Sequence, residues 1–196
     1  MTNIKVFLDY ACPFCYLGFS IADKLHKERP DINFEFLPYE LNPDSSKEPS
    51  KTTDHIPEKK LMDSYERIER LGNEYGLEYN NKTKSFNTHR LLLAGMYSKK
   101  EEKFFEFSRE AFKAVFQDGK NVAEPVIVNE IALKAGLNIV EMNNCIETEE
   151  LEDEFERAKN LIPVYEVDSV PTFIVNDKKT VTELKDYEAF KKDLLE

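Results

Sequence analysis

Two cysteines separated by two residues, in Cys12-Pro13-Phe14-Cys15, are the part of this sequence best equipped for chemistry. A thiolate attacks a disulfide sulfur, and a second thiol three residues on is close enough to attack the mixed disulfide so formed. Two other readings fit the same residues. The thiols can be small apolar groups at a helix start, or one half of a zinc site. Zinc needs two more ligands from Cys145, His26, His55, His89 or carboxylates, and the chain has no second Cys-x-x-Cys and no His pair at metal spacing. No metal is therefore assigned.

The neighbours of the pair modify its chemistry. Pro13 lacks an N–H, but none is needed at a first helical position, where its fixed φ is suitable. Phe14 offers no hydrogen-bond donor to a Cys12 thiolate, so milder oxidising power is expected than from a dipeptide containing histidine. Asp9, three residues before Cys12, has two open roles: capping the strand end or helix start, or relaying a proton near the pair. Val170-Pro171 lies after a loop and before an apolar strand signal. Such a bond adopts cis geometry at modest cost and then presents the Val170 backbone for β-type pairing with an extended substrate. Trans prolines also commonly start strands, so the dipeptide gains meaning only from the cysteine pair upstream.

Elements must bring these residues together. Ile4 to Leu8 reads as a buried strand, and Cys12 to about Lys27 as a helix with Leu17, Ile21, Ala22 and Leu25 on one side. Cys12 thus falls at a strand–helix junction, where unpaired N–H groups and the helix dipole favour negative charge. Pro30 closes the helix, and Ile32 to Leu37 alternates as a second strand, Ile32, Phe34 and Phe36 sharing a face. The connection is long enough for a parallel pair. Residues 42–56, rich in proline and polar groups, read as a surface loop serving as lid or rim.

Helices are expected over Glu58–Tyr75, from Asn87 or Thr88 as N-cap, over Phe104–Phe116, over Pro125–Ala135, over Asn138–Cys145 and over Glu149–Leu161. Gly76, Gly119 and Gly136 end three of them. The stripe from Phe104 to Phe116 reads as core, Cys145 as a buried inert thiol, and His26 and His55 as surface residues. The end returns to strands at Val170–Val175 and Thr180–Leu184, then a helix from Asp186 to Leu195. The expected architecture is α/β: residues 1–40 and 150–196 form one domain, β-α-β … α-β-β-α, and residues 41–149 an all-helical insertion.

Composition sets outer bounds. At 196 residues, with 41% hydrophobic residues, 14 Phe and 9 Tyr, the chain can bury a substantial core. A net charge of −11 disfavours nucleic acid or an anionic membrane as the main partner. The first residues lack the charged and apolar regions of a signal peptide, and a cytoplasmic location is expected if Met1 is the native start. In such a reducing compartment a close cysteine pair is catalytic, redox-sensing or metal-binding more often than structural.

These residues resemble the DsbA family of thioredoxin-like proteins, in particular its FrnE-like cytoplasmic branch. The matching stretches are Asp9 to Gly18, Asn87 to Leu91 and Ser169 to Phe173, with Phe116–Val122 and Ala132–Leu137 similar to the branch's helical patterns. The resemblance implies a thioredoxin-like fold with a large all-helical insertion, Cys12 as the exposed attacking cysteine, Cys15 as the resolving one, and a cis Val170-Pro171 bond facing them. Phe14 stands where the branch usually has Trp, and the stretch before His89 is shortened. His89 is left with two roles, over the redox pair or as a hydrogen-bonded cap.

The function so implied is dithiol–disulfide exchange with protein substrates, as oxidase, reductase or isomerase. It needs no bound cofactor, only an external thiol or thioredoxin system to reset the Cys12–Cys15 pair. One alternative is glutathione-dependent isomerisation or transfer, although relatives with that activity generally carry serine at the position of Cys12. The other is a redox- or zinc-sensing adaptor without enzymatic activity.

Overall fold

The computed structural model describes residues 2–196. The first apolar run forms β1 (Asn3–Leu8), which pairs in parallel with β2 (Asn33–Pro38), Asn3 opposite Asn33 and Leu8 opposite Pro38. The crossover between them is α1 (Pro13–Glu28), whose Leu17, Ile21, Ala22 and Leu25 are fully buried. Each large aliphatic side chain so buried contributes about 1.5–3 kcal/mol.

The end of the chain completes the sheet. β5 (Thr172–Val175) runs antiparallel to β1, and β6 (Lys179–Val181) antiparallel to β5, giving the order β2-β1-β5-β6. Successive side chains of a strand point to opposite faces. Ile4, Val6 and Leu8 accordingly join the main core with α1 and with Phe190 and Leu194 of the terminal helix Tyr187–Leu195, which Asp186 caps. Phe7 faces the other way and meets Leu37, Ala158, Val167 and Ile174.

Between β2 and β5 the chain is mainly helical. α2 (Glu58–Gly72) is followed by α3 (His89–Lys100), α4 (Phe104–Phe112), α5 (Pro125–Lys134), α6 (Ile139–Glu147) and α7 (Glu150–Lys159). α7 supplies the Ala158 that covers the second face of the sheet. The aromatic stripe on α4 packs as core: Phe112 lies 5.3 Å from Tyr16 and 5.4 Å from Phe19, joining helical block and α1. Gly76, Gly119 and Gly136 all take positive φ, as expected of helix-ending glycines.

Four expectations need correction. Residues 42–56 lie at the surface and border a cleft, as expected, but not wholly as loop: Ser50–Lys51 form β3, antiparallel to β4 (Lys84–Ser85), and the Asn87 amide donates to the Ser45 carbonyl at 2.8 Å. Phe104–Phe116 is not one regular helix, because Lys113–Gln117 widens into a π turn, which places Val115 and Phe116 where regular spacing would not. His26 is not a polar surface residue; its ring stacks on Phe105 at 4.3 Å. Cys145 is only half-buried.

Candidate active site

β1 ends at Leu8, and the next four residues turn the chain into α1. Cys12 is the N-cap, with extended backbone at φ −93° and ψ 117°. Its N–H donates to the Asp9 carbonyl at 3.1 Å, and its own carbonyl accepts from the N–H groups of Cys15 (3.0 Å) and Tyr16 (3.3 Å). This winding puts Cys12 in the lining of a cleft but only 7% exposed, a buried residue and not the exposed cysteine that the resemblance implies, and puts Cys15 one turn further inside, with no exposure. Burial pushes the Cys15 thiol well above its ordinary range, helped by its hydrogen bond to the Cys12 sulfur. Both cysteines are free thiols.

The opposite wall comes from the far end of the chain. The Val170–Pro171 bond is cis, and the Cys12 thiol donates to the Val170 carbonyl at 3.5 Å. Gly18 makes this approach possible, since a Cβ there would stand 2.8 Å from Pro171 Cγ. Pro13 is held from the helical side, where the Tyr79 hydroxyl donates to its carbonyl at 3.3 Å.

Asp9 is fully buried and ties three segments together. Its carboxylate accepts from the N–H of Ala11 at 3.0 Å, the N–H of Leu41 at 2.8 Å and the Thr88 hydroxyl at 2.6 Å. Burial raises its pKa, while these three donors pull it back down. The expectation for Thr88 as a side-chain cap of α3 is corrected: no cap bond forms, and the hydroxyl serves Asp9 instead.

In front of Cys12 lies a cleft of about 350 Å3. Pro13 and Phe14 form one side, Leu61 and Tyr65 of α2 another, and Phe86 and Phe116 the floor. Its rim carries His55, Lys60 and Lys84, none of which the sequence singles out for this place. The signal was hidden because the β3–β4 ribbon, which carries Lys84 and leads toward His55, leaves no pattern in so few residues.

His89 does not join the pair. Both ring nitrogens meet carboxylates, Nδ1 with Glu40 at 3.2 Å and Nε2 with Glu152 at 2.9 Å. The hydrogen bond to Glu40 leads in raising its pKa to about 9, against burial, and Glu152 adds to it. A histidine that holds its proton more tightly when folded stabilises the fold fully below its ordinary value of 6.5, and the gain disappears as pH rises through about 9. The Tm gap between wild type and His89→Gln is therefore expected to be widest near the acid end of that window. Thermal scans across it test the clamp, and a constant gap would contradict it. Partial exposure of the ring keeps the effect modest.

Among the described residues, no group of three or more His, Cys, Asp or Glu is placed to hold a metal, and no helix is long and apolar enough to cross a membrane.

The chain that carries this thiol pair is matched over almost its whole length by a known family pattern. The pattern of the DSBA-like thioredoxin domain covers residues 3–195. The chain belongs to that family. It is similar to the uncharacterized protein YwbO of Bacillus subtilis (strain 168), with 30% identity over 178 residues, or 89% of this chain and 87% of that protein. The crystal structure of a probable DsbA oxidoreductase from Streptomyces coelicolor shares its fold with a TM-score of 0.86, at 18% identity, over 99% of this chain and 88% of that one. The cytosolic disulfide reductase DsbM from Pseudomonas aeruginosa, solved with GSH, gives 0.73 at 15% identity over 97% of each chain. DSBA-like membership carries thiol–disulfide oxidoreductase chemistry in general terms, on a thioredoxin fold.

Proposed function

We propose that this protein exchanges disulfides with protein substrates through Cys12 and Cys15, and that an external thiol or thioredoxin system resets the pair. The observation that carries this reading is the placement of the two sulfurs. Cys12 lines the cleft beside the Val170 carbonyl, and Cys15 waits behind it, wholly enclosed. A client disulfide meets Cys12 first, and its backbone can pair with the half-buried Val170 backbone beside it. The mixed disulfide then lies within reach of Cys15, whose attack releases the client. Pro13 and Phe14 form the surface on which the client rests next to the reacting sulfur.

Cys15→Ser tests the sequence of steps. With the resolving thiol gone, the mixed disulfide at Cys12 is expected to accumulate, visible as a higher-mass adduct in non-reducing electrophoresis and mass spectrometry. Reductant should release it. If Cys15→Ser turns over clients as fast as wild type and traps nothing, the two-thiol mechanism fails.

A further inference from the structure

We propose that the Glu40–His89 contact is a positioning device for the redox pair: through Leu41, Thr88 and Asp9 it fixes how Cys15 reaches a mixed disulfide at Cys12. This rests on the disulfide-exchange reading above and names residues away from the two sulfurs that govern its second step.

Asp9 touches both cysteines. Its carbonyl accepts the Cys12 N–H at 3.1 Å, and its backbone also hydrogen-bonds the Cys15 thiol. Its side chain is held in turn by two segments far apart in sequence, through the Leu41 N–H at 2.8 Å and the Thr88 hydroxyl at 2.6 Å.

Those two segments are fastened to each other one residue away. Glu40 precedes Leu41, His89 follows Thr88, and the Glu40 carboxylate meets His89 Nδ1 at 3.2 Å. The Glu40 side chain is only 9% exposed, so this ion pair is screened less than a surface pair. Flanking bonds tighten the same seam. The Tyr39 N–H donates to the Leu8 carbonyl at 2.9 Å. Asn87 accepts the His89 N–H at 3.1 Å and donates to the Ser45 carbonyl at 2.8 Å. Neither Glu40 nor His89 lines the cleft in front of Cys12, so their route to the reaction runs through the Asp9 turn.

The other arm of His89 differs. Nε2 meets Glu152 at 2.9 Å on α7, and no residue of α7 bonds the Asp9 carboxylate. Both arms stabilise the fold, and one of them positions the pair.

In the step so governed, the Cys15 sulfur bonds to the Cys12 sulfur and the bond from Cys12 to the client sulfur breaks. The client leaves as a thiol with the Cys15 proton. Over both steps the pair loses two electrons and the client disulfide gains two. This second step is intramolecular, and a misplacement of about 1 Å costs such a step up to about a hundredfold. The first attack is bimolecular, at a sulfur that lines the cleft, and tolerates slack in the turn.

The test uses reduced full-length protein, carrying Cys145→Ser throughout, mixed with one equivalent of dithiobis(nitrobenzoate). The first thionitrobenzoate released reports attack by Cys12, and the second reports resolution by Cys15. Glu40→Gln is expected to slow the second release about tenfold and to leave the first within about twofold. Thr88→Val, which removes a donor to Asp9 directly, should act in the same direction. Glu152→Gln should lower Tm as Glu40→Gln does, yet resolve at the wild-type rate. If Glu40→Gln fails to fold, His89→Gln set against Glu152→Gln reads the same arm.

Resolution at the wild-type rate in both Glu40→Gln and Thr88→Val overturns the proposal. Equal slowing by Glu40→Gln and Glu152→Gln overturns it too, since that marks general loosening. In both cases a wild type that releases both equivalents leaves the exchange reading standing. A wild type that releases the first equivalent and never the second overturns both.

Discussion

Replacing Cys12 by serine is expected to lower insulin reduction by roughly a thousandfold or more, since loss of a nucleophile removes the covalent step itself. No other thiol can take its place. Cys15 is fully enclosed, and burial, the leading cause that raises its thiol pKa, is independent of the Cys12 sulfur. Cys145 lies on α6, is not among the residues of the cleft, and has its own thiol raised by burial and by Glu150. Measuring the rate in Cys12→Ser and in Cys12→Ser with Cys145→Ser separates any background from Cys145. Substantial reduction by the double variant would remove the pair from the mechanism. Circular dichroism should show the fold intact, because Cys12 makes no side-chain cap for α1.

The second large effect is on stability. Asp9→Ala leaves the N–H of Ala11, the N–H of Leu41 and the Thr88 hydroxyl without their acceptor, a carboxylate that is itself fully buried. Hydrogen bonds to charged groups and orphaned buried donors each carry about 1–3 kcal/mol. A net loss of roughly 3 kcal/mol is expected after relaxation, equivalent to about 6–12 °C in Tm for a chain of this length. Asp9→Asn should fall between: its one oxygen cannot serve both N–H groups, so the amide NH2 opposes one of them in either orientation. Thr88→Val removes a single donor and should cost least. An Asp9→Ala variant as stable as wild type would mean that the strand–helix junction holds its shape without this carboxylate.

Much of the fold was legible because it is written in local signals. The short apolar run at Ile4–Leu8, the helical spacing of Leu17, Ile21 and Leu25, and the closing glycines each specify an element without help from distant residues. The cysteine pair was legible for the same reason, since its chemistry depends on two residues and the turn between them. The rest depends on contacts across long separations. Thr88 looks like a helix cap in sequence, and only the fold places it 2.6 Å from a carboxylate 79 residues upstream. His89 carries no mark of Glu40 and Glu152, which lie on either side of it in sequence by dozens of residues. The cleft rim is assembled by a ribbon of two residues per strand, too short for any periodicity to reveal.

The complete enclosure of Cys15 has a stereochemical consequence. Once the two sulfurs are joined, the bond between them presents a single face: an incoming thiolate can line up with the Cys12 sulfur, leaving Cys15 to depart inward. Every encounter with the oxidised protein is thereby funnelled into one regiochemistry. Partners compete for one sulfur atom, and whichever fits the ground immediately around it sets the direction in which electrons flow.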